Sequence, residues 1–98
     1  MERDNVKVTD GRVVSVERWV RWNGVPSPTI VIQRLSDQVF SSQIGDPEHG
    51  GGSAKGTLQE VLAGLHPEIA AQYEMLFALR EPTPESIAAA GFPNYAIV

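Results

Sequence analysis

The amino-acid sequence predicts an α+β fold, in which an antiparallel β-meander of three to four strands is covered by two or three short helices. Two runs rich in β-branched and aromatic residues lie between Arg12 and Leu35, a glycine-rich interval follows at 46–56, and three segments with apolar faces come after it. A chain of 98 residues with 42 % hydrophobic residues can form one modest core. We therefore expect a single domain over 1–98, with the meander in 1–45, a glycine-rich loop in 46–56, and helices with an extended tail in 57–98.

The first two predicted strands show an alternation of apolar and polar residues with a period of two. Val6–Val8 is predicted as a short edge strand that ends at the turn dipeptide Asp10-Gly11. The next strand runs from Val13 to Trp22. Its core face is predicted to carry Arg18 together with Val14, Val16, Val20 and Trp22.

The rest of the meander is interrupted by prolines. Because proline cannot donate to a β-ladder, Pro26 and Pro28 predict a loop of about six residues rather than a tight hairpin. Thr29–Leu35 and Gln38–Ile44 are the further predicted strands.

The glycine-rich interval contains no large apolar residue and is predicted to be a mobile loop. It lies between a strand and a helix and holds a lysine, as a phosphate-binding loop does. That motif requires the lysine directly after its last glycine and a hydroxyl directly after the lysine. Here Gly56 separates Lys55 from Thr57, so the order argues against nucleotide binding.

Three helices are predicted from their caps and apolar spacing. Thr57 caps the first, whose apolar stripe is Leu58, Val61, Leu62 and Leu65. Pro67 opens the second, which runs to Leu79, and Thr83-Pro84 opens the third. The chain closes with an apolar extended segment, Tyr95–Val98, which either adds an edge to the sheet or docks on a partner.

The charge is unevenly distributed along the chain. Residues 1–45 carry six lysines and arginines against five acids, whereas 46–98 carry two against seven. The second half is therefore acidic. An acidic half opposes contact with phosphate backbones or anionic lipid and favours a basic partner surface. The ordinary alternative is a solvated helical face that keeps the protein soluble.

Catalytic and metal signatures are missing from the sequence. Without cysteine there is no disulfide, thiolate ligand or thiol nucleophile. His49 follows two carboxylates within 46–49, but no further ligands have the spacing of a metal site. His66 precedes a proline at a helix junction, where capping is the ordinary role. We predict no enzyme activity, no cofactor and no metal site, and a small enzyme is the third-ranked interpretation.

A sheet surface that binds single-stranded nucleic acid is the alternative. Arginine and tryptophan side chains on adjoining strands could neutralise phosphates and stack bases. Trp19 and Trp22 fall on opposite faces, so at most one can belong to such a surface, and nucleic acid is an unfavoured partner. The residues concerned are Arg18, Trp19, Arg21, Trp22 and Arg34.

A non-enzymatic protein-binding or assembly module is the favoured interpretation. Tryptophan and arginine dominate interface hot spots, and the second helix and the tail carry more apolar surface than one small core consumes. The partner is expected to be another protein or a second copy of the chain. The predicted partner-binding residues are Trp19, Arg21, Val31, Met75, Leu79, Tyr95, Ile97 and Val98.

The segment Thr83–Phe92, TPESIAAAGF, resembles closing segments of small bacteriophage structural and accessory proteins, where a threonine-proline cap precedes a short alanine-rich helix ending in glycine. This resemblance implies a phage or prophage origin and a role in virion or tail assembly, or in inhibiting a host protein. It covers ten of the 98 residues and carries over no functional residue.

The expected location follows from two further observations. No apolar run approaches the roughly 18 residues that cross a bilayer, so we expect no membrane insertion. The amino terminus is too polar and acidic for a secretory signal. We expect the cytoplasm of the host cell, or the virion if the resemblance to phage proteins holds.

Overall fold

The computed structural model describes residues 3–46 and 50–97, without the side chains of Trp22 and Asp46. Within these ranges the chain forms six strands and three helices. The strands are β1 (Arg3–Thr9), β2 (Arg12–Trp22), β3 (Val25–Arg34), β4 (Phe40–Asp46), β5 (Gly50–Gly56) and β6 (Tyr95–Ile97). The helices are α1 (Leu58–Leu62), α2 (Pro67–Ala78) and α3 (Pro84–Ala89).

One sheet contains all six strands in the order β5-β4-β3-β2-β1-β6. Neighbouring strands are antiparallel, except that β6 lies parallel to β1. The α+β class is confirmed, but the predicted three to four strands and the purely antiparallel arrangement are wrong. The sheet is larger because the glycine-rich interval and the C-terminal tail each add an edge strand.

The core face of β2 differs from the predicted alternation because the strand contains a bulge. Lys7 pairs with Ser15 and Val8 with Val13, which leaves Val14 without a partner in β1. An extra residue reverses the parity of a strand. Val13 and Val16 are therefore both fully buried, and Val14, which was predicted to be a core residue, is only half-buried. The predicted core position of Trp22 lies outside the described side chains.

A tight hairpin joins β2 to β3, so the predicted six-residue loop is wrong. Asn23 and Gly24 form the turn with φ of 49° and 80°, as a two-residue hairpin requires. Pro26 and Pro28 lie inside β3. They are tolerated because β4 pairs with β3 only from Ile30 onward, so this half of β3 is a sheet edge.

The predicted loop at 46–56 is also wrong for Gly50–Gly56, which pairs with β4 along its whole length as β5. Backbone hydrogen bonds build this strand without help from large side chains. By register, Gly52, Ala54 and Gly56 face the helices. Of the two glycines, only Gly56 lies close to α1, because a β-carbon there would come within 2.9 Å of the Glu60 carboxylate, whereas one at Gly52 would meet no atom of the described residues within 4 Å. The prediction for residues 47–49, His49 included, lies outside the described residues.

The helix caps agree with the sequence. Thr57 and Glu60 form a capping box at α1, and Thr83 and Ser86 form another at α3. Nδ1 of His66 accepts a hydrogen bond from the Glu68 backbone N–H at 3.3 Å, which caps α2 and confirms the predicted structural role of this histidine.

The core lies between one face of the sheet and the helical segments. Two edge-to-face aromatic pairs join its parts: Phe40 of β4 lies 5.5 Å from Phe77 of α2, and Tyr73 of α2 lies 5.1 Å from Phe92. Apolar residues of both layers are excluded from water: Val6, Val13, Val16, Ile32, Phe40, Val61, Leu62, Tyr73, Leu76, Phe77, Ile87, Ala90 and Phe92.

Candidate functional site

The helices cover one face of the sheet and leave the other exposed. Cross-strand pairing places Lys55, Ser41, Gln33, Ser15 and Lys7 in one row, which alternates with the buried positions on the opposite side. We call this surface the open face. It consists of Arg3, Asn5, Lys7, Ser15, Glu17, Trp19, Arg21, Val31, Gln33, Ser41, Gln43, Ser53 and Lys55.

The two sides of the molecule carry opposite charge. The open face has four cations, Arg3, Lys7, Arg21 and Lys55, against Glu17 alone. We call residues 58–92 the helical layer. It has one cation, Arg80, against five exposed acids: Glu60, Glu68, Glu74, Glu81 and Glu85. The charge asymmetry along the sequence thus becomes an asymmetry between two surfaces.

Trp19 lies at the basic end of the open face. It lines a small pocket of about 100 Å³ with Arg3, Val20, Arg21 and Pro26. Its Nε1–H is buried and has no acceptor among the residues that the structure describes. Arg21 is exposed and donates from Nη1 to the Gly24 carbonyl at 3.1 Å.

Val31 lies in the neighbouring row of the open face, opposite Glu17, over a shallow groove of about 500 Å³ that is lined mainly by polar residues. The structure therefore brings three of the predicted partner-binding residues, Trp19, Arg21 and Val31, to one surface. The groove is lined by Val31, Gln33, Ser41, Ser42, Gln43, Ser53, Ala54 and Lys55.

The predicted residues of α2 lie on the opposite side of the molecule. Met75 is 54 % exposed, on an outward stripe that also holds Glu68 and Glu74. Leu79 is half-buried and packs against the core, so little of it is available to a partner.

The predicted tail residues have separate positions. Tyr95 packs against the core, and Ile97 is 56 % exposed at the edge of the sheet in β6. Val98 lies outside the described residues. Of the two roles foreseen for the tail, Tyr95–Ile97 has the structural one, because it pairs with β1.

Two arginines considered for nucleic-acid binding, Arg18 and Arg34, are absent from the open face, and Arg18 lies on the core face of β2, as the alternation predicted. Arg18 pairs through Nε with Oδ1 of buried Asp4 at 2.9 Å, and its guanidinium lies 5.3 Å from the Phe92 ring. Arg34 donates from Nε to the Val13 carbonyl at 3.1 Å. Both guanidinium groups lie beneath the helices and pair there with groups that are distant in sequence.

Two ionisable groups have perturbed pKa values. Burial, followed by the charge of Arg12, lowers the pKa of Arg34, with a smaller lowering by Arg80 and an opposing effect of Asp37. At α1, the Thr57 backbone N–H bonds to the Glu60 carboxylate and holds the pKa of Glu60 below its ordinary value. Neither shift belongs to a cluster suited to acid–base catalysis.

Sequence reasoning missed Arg3, Lys7 and Lys55 as members of the open face. Arg3 lies before the predicted strand, which began only at Val6, and Lys7 lies within it but its face was not assigned. Lys55 was hidden because its glycine-rich surroundings predicted a loop.

Within residues 3–46 and 50–97, no three His, Asp or Glu side chains form a cluster that could hold a metal ion. None of the helices described has the length and apolar character needed to span a membrane. Comparison of the chain with protein-family models, curated proteins and solved structures finds no match. The surface itself is therefore the basis for a functional assignment.

Proposed function

We propose that the protein is a non-enzymatic assembly module, in which the open face of one copy docks on the helical layer of the next. The observation that carries the proposal is the opposite charge of these two surfaces. Complementary charge steers two surfaces together and fixes their orientation. A second copy is the occupant that supplies the required acidic surface without any other molecule.

Apolar side chains on the two surfaces are also complementary. On the open face, Trp19 and Val31 are half-buried apolar groups among basic and amide side chains. On the helical layer, Met75 lies between Glu68 and Glu74 on the exposed side of α2. Methionine adapts to an aromatic or aliphatic surface, and the two glutamates can pair with Arg3 and Arg21.

The open face is large enough for a specific contact. Six strands spaced about 4.8 Å apart give a width of about 24 Å, and a strand rises about 3.3 Å per residue. The longest strand has 11 residues, so the face approaches the area of roughly 800 Å² per partner that a standard interface buries.

The proposed contact joins two different surfaces and is therefore heterologous. Such contacts build rings when the rotation closes and filaments when it does not. Both outcomes suit the role in virion or tail assembly that the resemblance of Thr83–Phe92 implies. A location in the virion, or in the host cytoplasm before assembly, belongs to this proposal.

Two double variants test the contact, and each reverses the charge of one of the two surfaces. Arg3→Glu with Arg21→Glu reverses the basic end of the open face, and Glu68→Lys with Glu74→Lys reverses the stripe on α2. Sedimentation velocity should show oligomers of the natural chain that grow with concentration and dissociate as salt rises. Each variant alone should be monomeric.

Mixing the two variants is the decisive step, because each retains the surface that the other has lost. The mixture should assemble again, because the two unaltered surfaces dock as in the natural chain and the two reversed surfaces are complementary to each other in charge. Asp10→Asn with Asp37→Asn, in turns outside both surfaces, should assemble as the natural chain does. A natural chain that stays monomeric at low salt would overturn the proposal, as would variants that do not complement each other.

The same variants address the nucleic-acid alternative, which the open face still supports through Trp19, Arg3 and Arg21. Salt-sensitive binding of a single-stranded oligonucleotide, abolished by the open-face variant and unaffected by the α2 variant, would favour that function if self-assembly is absent.

A further inference from the structure

Three arginines converge at the end of the sheet where the β1–β2 hairpin meets the segment after α2. Arg12 and Arg80 form an isolated antiparallel bridge, and the Glu81 backbone N–H donates to the Gly11 carbonyl at 2.8 Å. Bridge partners in antiparallel pairs have Cα atoms about 5 Å apart. The backbone therefore fixes the bases of the first two arginine side chains beside each other.

Arg34 reaches the same place from inside the fold. Its guanidinium donates from Nε to the Val13 carbonyl at 3.1 Å and from Nη2 to the Phe77 carbonyl at 2.7 Å. Val13 follows Arg12 directly, and Phe77 is three residues before Arg80. The charges of Arg12 and Arg80 both act on Arg34 and lower its pKa, which agrees with this proximity.

No acid among the described residues forms an ion pair with these three arginines. Arg12 is half-buried, and its Nε–H is fully buried without an acceptor among the residues described. Asp37 is close enough to raise the pKa of Arg34, and the Glu81 carboxylate lies over Gly11. Neither acid forms an ion pair with the cluster among the described residues. Three adjacent cations with an unpaired buried donor are destabilising unless an anion joins them.

We propose that Arg12, Arg34 and Arg80 form a binding site for a phosphate group. Guanidinium forks match the oxygens of phosphate, and several of them neutralise its double charge. One guanidinium can satisfy both oxygens of a planar carboxylate. Donors from three chain segments are therefore better suited to a tetrahedral oxyanion. The site lies apart from the open face and does not depend on the proposed self-assembly.

The test uses two probes, inorganic phosphate and glycerol 3-phosphate, against chloride at equal ionic strength. Nuclear magnetic resonance of the arginine Nε–H groups reports on the site directly, and calorimetry gives the affinity. Both probes should shift the Arg12 Nε–H resonance and saturate. Equal affinities indicate a site for free phosphate, and tighter binding of the ester indicates a phosphorylated organic ligand.

Variants assign the binding to this cluster. Arg12→Gln and Arg80→Gln should each weaken phosphate binding about tenfold, which is about 1.4 kcal/mol. Arg21→Gln, on the open face, is the matched control and should leave the affinity unchanged. Arg34 is not altered, because its bonds to Val13 and Phe77 support the fold. The proposal is overturned if neither probe shifts the Arg12 resonance beyond the effect of chloride, or if malonate binds as tightly as phosphate.

Discussion

The guanidinium of Arg34 donates from Nη2 to the carbonyl oxygen of Phe77 at 2.7 Å, joining the sheet to the last turn of α2. The final carbonyls of a helix have no partner within the helix, and they lie at the negative end of its dipole. A cation is therefore the favoured partner. Arg34 also lies 4.9 Å from the Phe40 ring centroid, so its position couples β3, β4 and α2.

Replacing Arg34 should destabilise the fold. Arg34→Gln leaves the Phe77 and Val13 carbonyls without their charged donor, at an expected cost of about 2 kcal/mol in the free energy of unfolding. Urea denaturation followed by circular dichroism measures this difference. Arg21→Gln is the matched control and should change stability by less than about 0.5 kcal/mol, because Arg21 is exposed. Equal effects of the two substitutions would contradict the role assigned to Arg34.

The ion pair between Asp4 and Arg18 gives a second prediction. Their side chains are 5 % and 13 % exposed, so removing one charge leaves the other buried without its counter-charge. Asp4→Asn should cost about 3 kcal/mol of stability, and Arg18→Met a similar amount. The double variant Asp4→Asn/Arg18→Met should be less unstable than the sum of the two, and a double-mutant cycle measures that difference. Strict additivity would show that the pair contributes no coupling.

These two arginines show where sequence reasoning fails. A charged residue in a strand is usually exposed, and its buried partner has no local signature. Asp4 is 14 residues from Arg18, and Phe77 is 43 residues from Arg34. Only the folded chain brings these groups together, so the sequence could place Arg18 on the core face of its strand but could not identify the partner of either arginine.

Local signals were more informative. The helix starts at Thr57 and Thr83 follow from side chains within three residues of the cap, so the sequence contains the whole interaction. Strand parity correctly placed Trp19 and Arg21 on one face, because no bulge separates them in β2. The bulge at Val14 could not be predicted, since it depends on how β1 aligns with β2.

Gly91 gives a third prediction, on the chain reversal after α3. Its φ is 104°, a conformation that residues with a side chain rarely adopt, and a β-carbon there would lie 2.8 Å from the Gln72 side chain. Gly91→Ala should destabilise the fold by about 1–2 kcal/mol, mainly through backbone strain. Thermal denaturation monitored by circular dichroism gives the comparison.

Gly64 offers the matched control for that substitution. It follows α1 without a positive φ, and an added β-carbon would meet only Cδ1 of Ile44 at 3.5 Å, an ordinary contact. Gly64→Ala should leave the stability unchanged or raise it by about 0.5 kcal/mol, because alanine restricts the unfolded chain. If both alanine variants lose the same stability, backbone conformation is not what requires glycine at position 91.

The capping box of α1 gives a pH-dependent prediction. The Thr57 backbone N–H donates to Oε1 of Glu60 at 3.0 Å, and the Glu60 N–H donates to the Thr57 hydroxyl at 3.2 Å. The first bond favours the ionised carboxylate and lowers the pKa of Glu60 in the folded state. Its contribution to stability is therefore complete above the unfolded-state pKa of about 4.3 and is lost as the pH falls through the lower, folded-state value.

Carboxyl-detected nuclear magnetic resonance can follow this titration. The Glu60 carboxyl should titrate below the unfolded value, and the Thr57 amide resonance should shift with the same midpoint as its acceptor becomes protonated. Glu60→Gln keeps an acceptor oxygen for Thr57 but removes the ionisable group. In that variant the Thr57 amide should no longer respond over this pH range, whereas other acids titrate as before. A Glu60 carboxyl that titrates at or above the unfolded value would show that the capping box does not persist in solution.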